Sequence, residues 1–396
     1  MITIPTRRPS LFSWTAGMVL ACALSLTATA SAAAGKKPYS YFVTGNADAS
    51  VQINTPPSTP SVVLMGGGPD VDTAFRWMIT RAGIQPGTGG RFVVIRATGT
   101  EAYDPYIFYS DANSTTSTTW ADGWVGGASL GLTSVETLVI PSITAANDPF
   151  VTAVVGQANA VFIAGGDQSD YIKYWKGTEL DRTLQGLMAR NIPIGGTSAG
   201  LAVLGQFDYA ALKGTVTSTQ ALGDPYNRYM TLDPTPLSLS GGFLAPPVLA
   251  NTIVDAHLDA RDRMGRLIAF VARLVAPAGT TGCPGGILNA GTPSNTAARG
   301  IGVDVETALL VQGNGSQQPV TARRVTNPST TTTSAVYFVR PLNPPTQCAS
   351  GKPLTLTTVE LRKLADDSSV FNLTDWSGAN PYYVDAISGA LTSDPY

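Results

Sequence analysis

Two residues have the types that acyl transfer needs: Ser198, at the centre of a glycine-flanked turn, and His257, the one histidine in 396 residues. Gly196-Thr197-Ser198-Ala199-Gly200 has the Gly-x-Ser-x-Gly spacing of a nucleophile elbow. There a strand turns sharply into a helix, and small flanking residues leave room for the strained backbone. Such a turn exposes the serine Oγ, and the amide of Ala199 then faces the oxyanion that develops on attack. A neutral hydroxyl is a weak nucleophile and needs a base that is unprotonated near neutral pH, which imidazole supplies. Upstream, Gly66-Gly67-Gly68 offers the amides of Gly67 and Gly68 to the same oxyanion. This run is not a dinucleotide-binding fingerprint, because Val71 stands where the third glycine belongs.

These residues need elements to position them. Short apolar runs at 61–65, 91–95, 160–164 and 192–194 alternate with helical stretches, the pattern of a mostly parallel sheet with helices on both faces. Three of the runs end in glycine-rich turns, at 66–70, 165–168 and 195–200. In such sheets, sites form at the carboxyl ends of the strands. From about residue 255 the apolar spacing becomes helical, through Leu258, Leu267, Ile268, Val271 and Leu274. On a helix, Arg261 shares a face with His257 at i,i+4, while Arg263 and Arg266 are neighbours at i,i+3. The same arginines could instead pair with Asp259 and Asp262 on a solvated face. Residues 300–311 read as one strand. Residues 316–396, with a threonine run at 330–333 and strand-like segments at 336–339 and 354–356, read as a β-rich extension packed on the main domain.

Composition narrows the classes. With 43% hydrophobic and 13% charged residues the chain is globular, and 25 Lys+Arg against 27 Asp+Glu provide no basic footprint for nucleic acid. Arg7 and Arg8, an apolar stretch over 11–27 and the small residues Ala30-Ser31-Ala32 have the layout of a secretory signal peptide over 1–34. A secreted or periplasmic protein, free of the membrane after cleavage, is therefore expected. Cys22 leaves with the signal, and export makes Cys283 and Cys348 expected disulfide partners. The lack of a Cys/His cluster argues against zinc, and no cofactor is expected.

The Gly165-Gly166-Asp167-Gln168 turn, the Ser198 elbow and the Asp-x-His-x3-Arg-x-Arg-x2-Arg-Leu segment over 255–267 follow one another in that order. Together they resemble the cyanophycinases and related serine peptidases of the dipeptidase E type, over roughly residues 60 to 312. The resemblance implies a flavodoxin-like α/β fold, similar to class I glutamine amidotransferases, in a domain over 35–315. It implies Ser198 as nucleophile, His257 as base, and cleavage of cyanophycin, an arginine-bearing poly-aspartate, into β-Asp-Arg dipeptides. It places Gln168, Asp255, Arg261, Arg263 and Arg266 around the substrate, where arginines clamp carboxylates and an aspartate receives a guanidinium. A homodimer is compatible with it.

The sequence departs from the family at two positions. Family members carry Gly-x-Asp-Glu-x-Thr-Ala, whose glutamate orients the histidine; here Gly302-Val303-Asp304-Val305-Glu306-Thr307-Ala308 has valine at that place. The family glutamine before the histidine is Ala256. On a regular strand Asp304 and Glu306 would both face away from Val305's side, so a bulge or a turn is needed to bring either acid to the histidine. Glu306 is favoured for its reach. The expectation is an exported exopeptidase with a Ser-His-acid site acting on cyanophycin. An aspartyl or isoaspartyl dipeptidase on small peptides, or a catalytically inactive binding relative, are the alternatives. An esterase of the α/β-hydrolase type would carry its acid between serine and histidine and has no use for the arginines.

Overall fold

A computed structural model describes residues 36–109, 126–235, 241–277, 283–291, 296–313, 319–328, 330, 332 and 334–396. The segment 1–34, expected to be a signal peptide, and part of the 330–333 threonine run lie outside them. In chain order the strands are β1 (Ser40–Gly45), β2 (Ser61–Met65), β3 (Arg91–Arg96), β4 (Ser134–Val139), β5 (Ala160–Ile163), β6 (Ile194–Thr197), β7 (Asp208–Tyr209), β8 (Leu232–Asp233), β9 (Thr252–Ala256), β10 (Arg299–Val303), β11 (Thr307–Gln312), β12 (Thr321–Thr326), β13 (Val336–Pro341), β14 (Leu356–Leu364), β15 (Val370–Asn372), β16 (Pro381–Ile387) and β17 (Ala390–Leu391). The helices are α1 (Asp72–Arg81), α2 (Tyr103–Tyr109), α3 (Ile143–Ala146), α4 (Pro149–Gly156), α5 (Gln168–Trp175), α6 (Glu179–Ala189), α7 (Ser218–Gly223) and α8 (Met264–Leu274).

The main sheet runs β1-β4-β3-β5-β6-β2-β11-β12-β15, and its centre, from β4 to β2, is parallel. Every residue of β2 and β5 is buried, as a parallel sheet covered on both faces requires. Successive side chains point to opposite faces. Val62, Leu64, Val161 and Ile163 pack with Val154, Trp175 and Leu184 of α4, α5 and α6. Val63, Met65 and Phe162 pack on the other face with Phe75, Met78 and Ile107 of α1 and α2. The helices α4, α5 and α6 start on side-chain caps from Asp148, Asp167 and Thr178, which satisfy amides that the helix leaves unpaired. The fold is thus α/β with a mostly parallel sheet between two helical layers.

A second sheet, ordered β17-β16-β14-β13-β10-β9, packs against α8. The C-terminal residues are β-rich and are built into both sheets. Strands β12 and β15 extend the main sheet, whereas β13, β14, β16 and β17 extend the second, and residues 38–396 form one compact unit. Cys283 and Cys348 are joined in a disulfide, both sulfurs buried in the core beside α8.

Two local readings of the sequence are corrected. The helix does not include 255–263: Asp255 and Ala256 end the buried strand β9, His257 has φ +51°, and α8 starts only at Met264. Residues 300–311 are two strands in different sheets. The chain leaves β10 at Val303, turns through 304–306 with Glu306 at φ +55°, and enters the main sheet as β11.

Candidate active site

The end of β2 holds the nucleophile and the histidine at once. Met65 O accepts the amide of Ser198 at 3.0 Å, and the next carbonyl, Gly66 O, accepts the amide of His257 at 3.0 Å. These bonds bring together residues 59 positions apart, and Ser198 Oγ lies 2.8 Å from His257 Nε2. Ser198 has φ +54°, a left-handed conformation that a non-glycine residue keeps only when its surroundings over-determine it. The flanking glycines show why they are needed. A Cβ on Gly196 would lie 2.4 Å from the Gly200 carbonyl, and one on Gly200 would lie 2.0 Å from Ile163 O. The elbow leads into a short 3-10 turn, Leu201–Val203, rather than an α-helix.

His257 is 8% exposed. Burial, and then the charges of Arg261 and Arg263, push its pKa down from 6.5 to about 4, so the ring is neutral and able to accept a proton. Gly67 packs on the imidazole so closely that a Cβ there would lie 2.3 Å from Cε1. Among the described residues, the amides of Gly67, Gly68 and Ala199 donate no hydrogen bond to the protein. The sequence singled out these three as oxyanion donors, and all three border the Ser198–His257 pair or belong to the elbow itself.

The two acids stand elsewhere. Asp304 is buried, and its Oδ1 accepts the amides of Ala260 at 3.1 Å and Val305 at 2.8 Å. It therefore ties the turn after His257 to the end of β10. Glu306 contributes its amide to Gly67 O at 2.9 Å, and its Cγ would be 3.8 Å from a Cβ on Gly68. Neither carboxylate is hydrogen-bonded to His257, because the turn at 304–306 lies against the glycine loop and aims Glu306 toward Gly68. Backbone bonds on both sides of His257, to Gly66 O and from Arg261 N at 3.2 Å, hold the residue instead. Asp304→Ala should accordingly lower kcat/KM by about 10–100-fold by releasing this turn, and Glu306→Gln should change it less than about threefold. Steady-state kinetics of both variants check this, and a larger loss for Glu306→Gln would return the orienting role to that residue.

The remaining sequence candidates surround a cavity of about 260 Å³ that opens beside Ser198. Asp255 at its floor is 2% exposed and engaged by Arg266 in a two-pronged pair, Nε to Oδ2 at 2.7 Å and Nη2 to Oδ1 at 2.6 Å. Arg266 also donates to Val216 O at 3.2 Å and lies over the Tyr209 ring. It is a buried internal counter-ion for Asp255. Arg263 donates to Ala256 O at 2.8 Å and sits 3.7 Å from Asp255; burial pushes its pKa down to about 10. Arg261 is exposed at the rim and makes no ion pair among the described residues. Gln168, the first residue of α5, reaches Tyr209 O at 3.4 Å. Unmarked by the sequence were Tyr209 under Arg266, Gly214 and Thr215 in the cavity wall, and the steric contact of Gly67 with the ring. A Gly-rich loop predicts none of these before its partners are known.

Chemically, a neutral imidazole on a half-buried serine hydroxyl, with free amides nearby and a cationic pocket, suits acyl transfer from a substrate bearing a carboxylate. No curated protein matches the sequence. Among solved structures, a peptidase from an acI-B1 Actinobacterium is 14% identical, with a TM-score of 0.39, covering 86% of this chain and 99% of its own. A candidate peptidase E protein from Listeria monocytogenes EGD-e is also 14% identical, with a TM-score of 0.35, covering 68% of this chain and 100% of its own. Residues 128–221, which include the Gly165–Gln168 turn and the Ser198 elbow, match the model of Peptidase family S51.

Proposed function

We propose that the protein is a serine exopeptidase that hydrolyses cyanophycin, releasing β-Asp-Arg dipeptides. The observation that carries the reading is the 2.8 Å contact of Ser198 Oγ with a neutral His257, at the edge of a cavity lined by three guanidiniums, Arg261, Arg263 and Arg266, and two carboxylates, Asp167 and Asp255. Asp255 is already paired with Arg266, which leaves Arg261 at the rim for a substrate carboxylate and Asp167 for a substrate guanidinium. Each cyanophycin unit offers such a carboxylate, that of its arginine, and the chain end offers another. The cavity of about 260 Å³ lies just below the roughly 300–1,000 Å³ of ordinary ligand pockets. It holds one dipeptide unit, which supports cleavage from an end.

In the reaction, Ser198 Oγ attacks the scissile carbonyl as its proton passes to His257 Nε2. The amides of Ala199, Gly67 and Gly68 receive the oxyanion, and the imidazolium returns the proton to the leaving amine. Water then repeats the sequence on the acyl-enzyme. Neutral imidazole is the working form, so the contribution of His257 is present above its pKa and is lost as pH falls through about 4.

The same cationic pocket favours a second reading, an aspartyl or isoaspartyl dipeptidase on small peptides. Incubation with purified cyanophycin and with aspartyl dipeptides, followed by mass analysis of the products, separates the two. β-Asp-Arg from the polymer is the expected result; turnover of free dipeptides alone would move the substrate to the second reading. On whichever substrate is cleaved, Arg261→Ala should raise KM by about tenfold with little change in kcat, as loss of a carboxylate contact in both ground and transition state does. An unchanged KM would remove Arg261 from the binding surface.

A further inference from the structure

The loop that carries Gly67 and Gly68 ends at Asp70, and the surroundings of that residue are not explained by the pocket. Its Oδ2 accepts the Tyr103 hydroxyl of α2 at 2.8 Å. Its carbonyl accepts Asn327 Nδ2 at 2.8 Å, and Asn327 Oδ1 accepts the Asp72 amide at 3.0 Å. The C-terminal end of β12 thus clamps the start of α1 from outside. On the inside, the nearby Thr197 hydroxyl favours the ionised Asp70 carboxyl. Thr197 is the residue before the nucleophile and is 4% exposed. Both Asp70 Oδ1 and Thr197 Oγ1 are buried, and neither has a hydrogen-bond partner among the described residues. Two buried polar atoms left without partners at the root of the elbow are costly, and a small side-chain rotation that pairs them removes the cost.

Resting on the serine-peptidase reading, we propose that Asp70 is a positioning residue: its ionised carboxyl, by accepting the Tyr103 and Thr197 hydroxyls, locks the glycine loop to the nucleophile elbow. The distance between the Gly67 and Gly68 amides and Ser198 is then set by a side chain that touches no substrate. Asp70 does not line the cavity, so it acts on the rate of attack and not on substrate affinity. A misplacement on the order of 1 Å in such a centre costs about 100-fold.

The lock is sensitive to protons. Burial pushes the Asp70 carboxyl up to about 6. Tyr103 and Tyr106 of α2 lie next to it, and those tyrosines are faced in turn by Asp72 of α1, Arg96 at the end of β3 and Tyr171 of α5. Because the carboxylate is the accepting form, the lock is present above about pH 6 and released as pH falls through it, well before His257 protonates near 4.

A fluorophosphonate tests this without reference to any peptide substrate. Ser198 Oγ bonds to phosphorus, the P–F bond breaks, fluoride leaves, and His257 takes the hydroxyl proton. The phosphonyl oxygen occupies the oxyanion position. Labelling of the wild type should decline below about pH 6. Asp70→Asn should label about 10–100-fold more slowly at pH 7.5, with its decline displaced toward pH 4. Thr197→Val should behave like Asp70→Asn, while Thr197→Ser, which keeps the hydroxyl, should recover most of the rate. Thr197→Val and Thr197→Ser keep the experiment decisive should Asp70→Asn fail to fold. Wild-type rates and pH profiles in Asp70→Asn and Thr197→Val would overturn the lock alone. Failure of the wild type to label at Ser198 would overturn the lock together with the serine-peptidase reading.

Discussion

Ser198→Ala and His257→Ala should each reduce kcat/KM by about 10⁴-fold or more, and the double variant should lose little beyond either single one. The serine hydroxyl and the imidazole share one hydrogen bond of 2.8 Å and perform one proton transfer, so removing either partner disables the step that the other serves. Their contributions therefore cannot add. Residual turnover would come from the free amides and from the cationic cavity. The pH profile provides a separate mark of the base. With its pKa at about 4 rather than the usual 6.5, His257 should still be fully active at pH 5.5 once the Asp70 ionisation is removed. In Asp70→Asn the acid limb of kcat/KM should thus lie near 4. A limb remaining near 6.5 in that variant would mean the ring is solvated and free of the arginines' influence. Near-normal turnover by His257→Ala would end its assignment as the base.

The second large effect is expected from Gly67→Ala, a change of one methyl group. The new Cβ would lie 2.3 Å from His257 Cε1 and 2.5 Å from Nε2, on a backbone with φ +97°, where an L side chain is strained. Neither neighbour can give way cheaply. His257 is fixed by its amide bond to Gly66 O, and the Gly67 carbonyl is held by the Glu306 amide. The imidazole must then leave Ser198, or the loop must leave the oxyanion position. Either displacement costs a main catalytic term, and the two together should lower kcat by about 10³-fold. Circular dichroism of the variant should stay native-like, because the clash is local. Gly68→Ala is the milder comparison, since its Cβ would meet Val305 at 3.3 Å and nothing closer. Equal activities for the two variants would show that contact with the imidazole is not what requires glycine at 67.

The sequence by itself determined the centre of the main sheet and singled out Ser198 and His257. Runs such as Val62-Val63-Leu64 and Ala160-Val161-Phe162-Ile163 are apolar on both faces, and only a strand with helices on either side can bury them. The glycines at 196 and 200 were legible because local steric limits on a tight turn depend on the residues in that turn. The solitary histidine was legible because no other residue of its type competes for the role.

What only the tertiary structure decided depends on contacts between distant segments. Spacing alone made 255–263 look helical, since Leu258 and the arginines after it fall at helical intervals. The pairing of β9 with β10 and the Asp304 cap on Ala260 hold that segment as a strand end and a turn instead. The arginines are equal in sequence and unequal in space: Arg266 is spent on Asp255 inside the core, whereas Arg261 stays at the rim. The acid at Glu306 was assigned by reach, but the turn that joins the two sheets aims it at Gly68 and leaves His257 to its backbone bonds. Asp70 and Thr197 are 127 residues apart, and no local rule links them. They meet because β2 and β6 are parallel neighbours whose carboxyl ends coincide, so the loops that follow must share one small space.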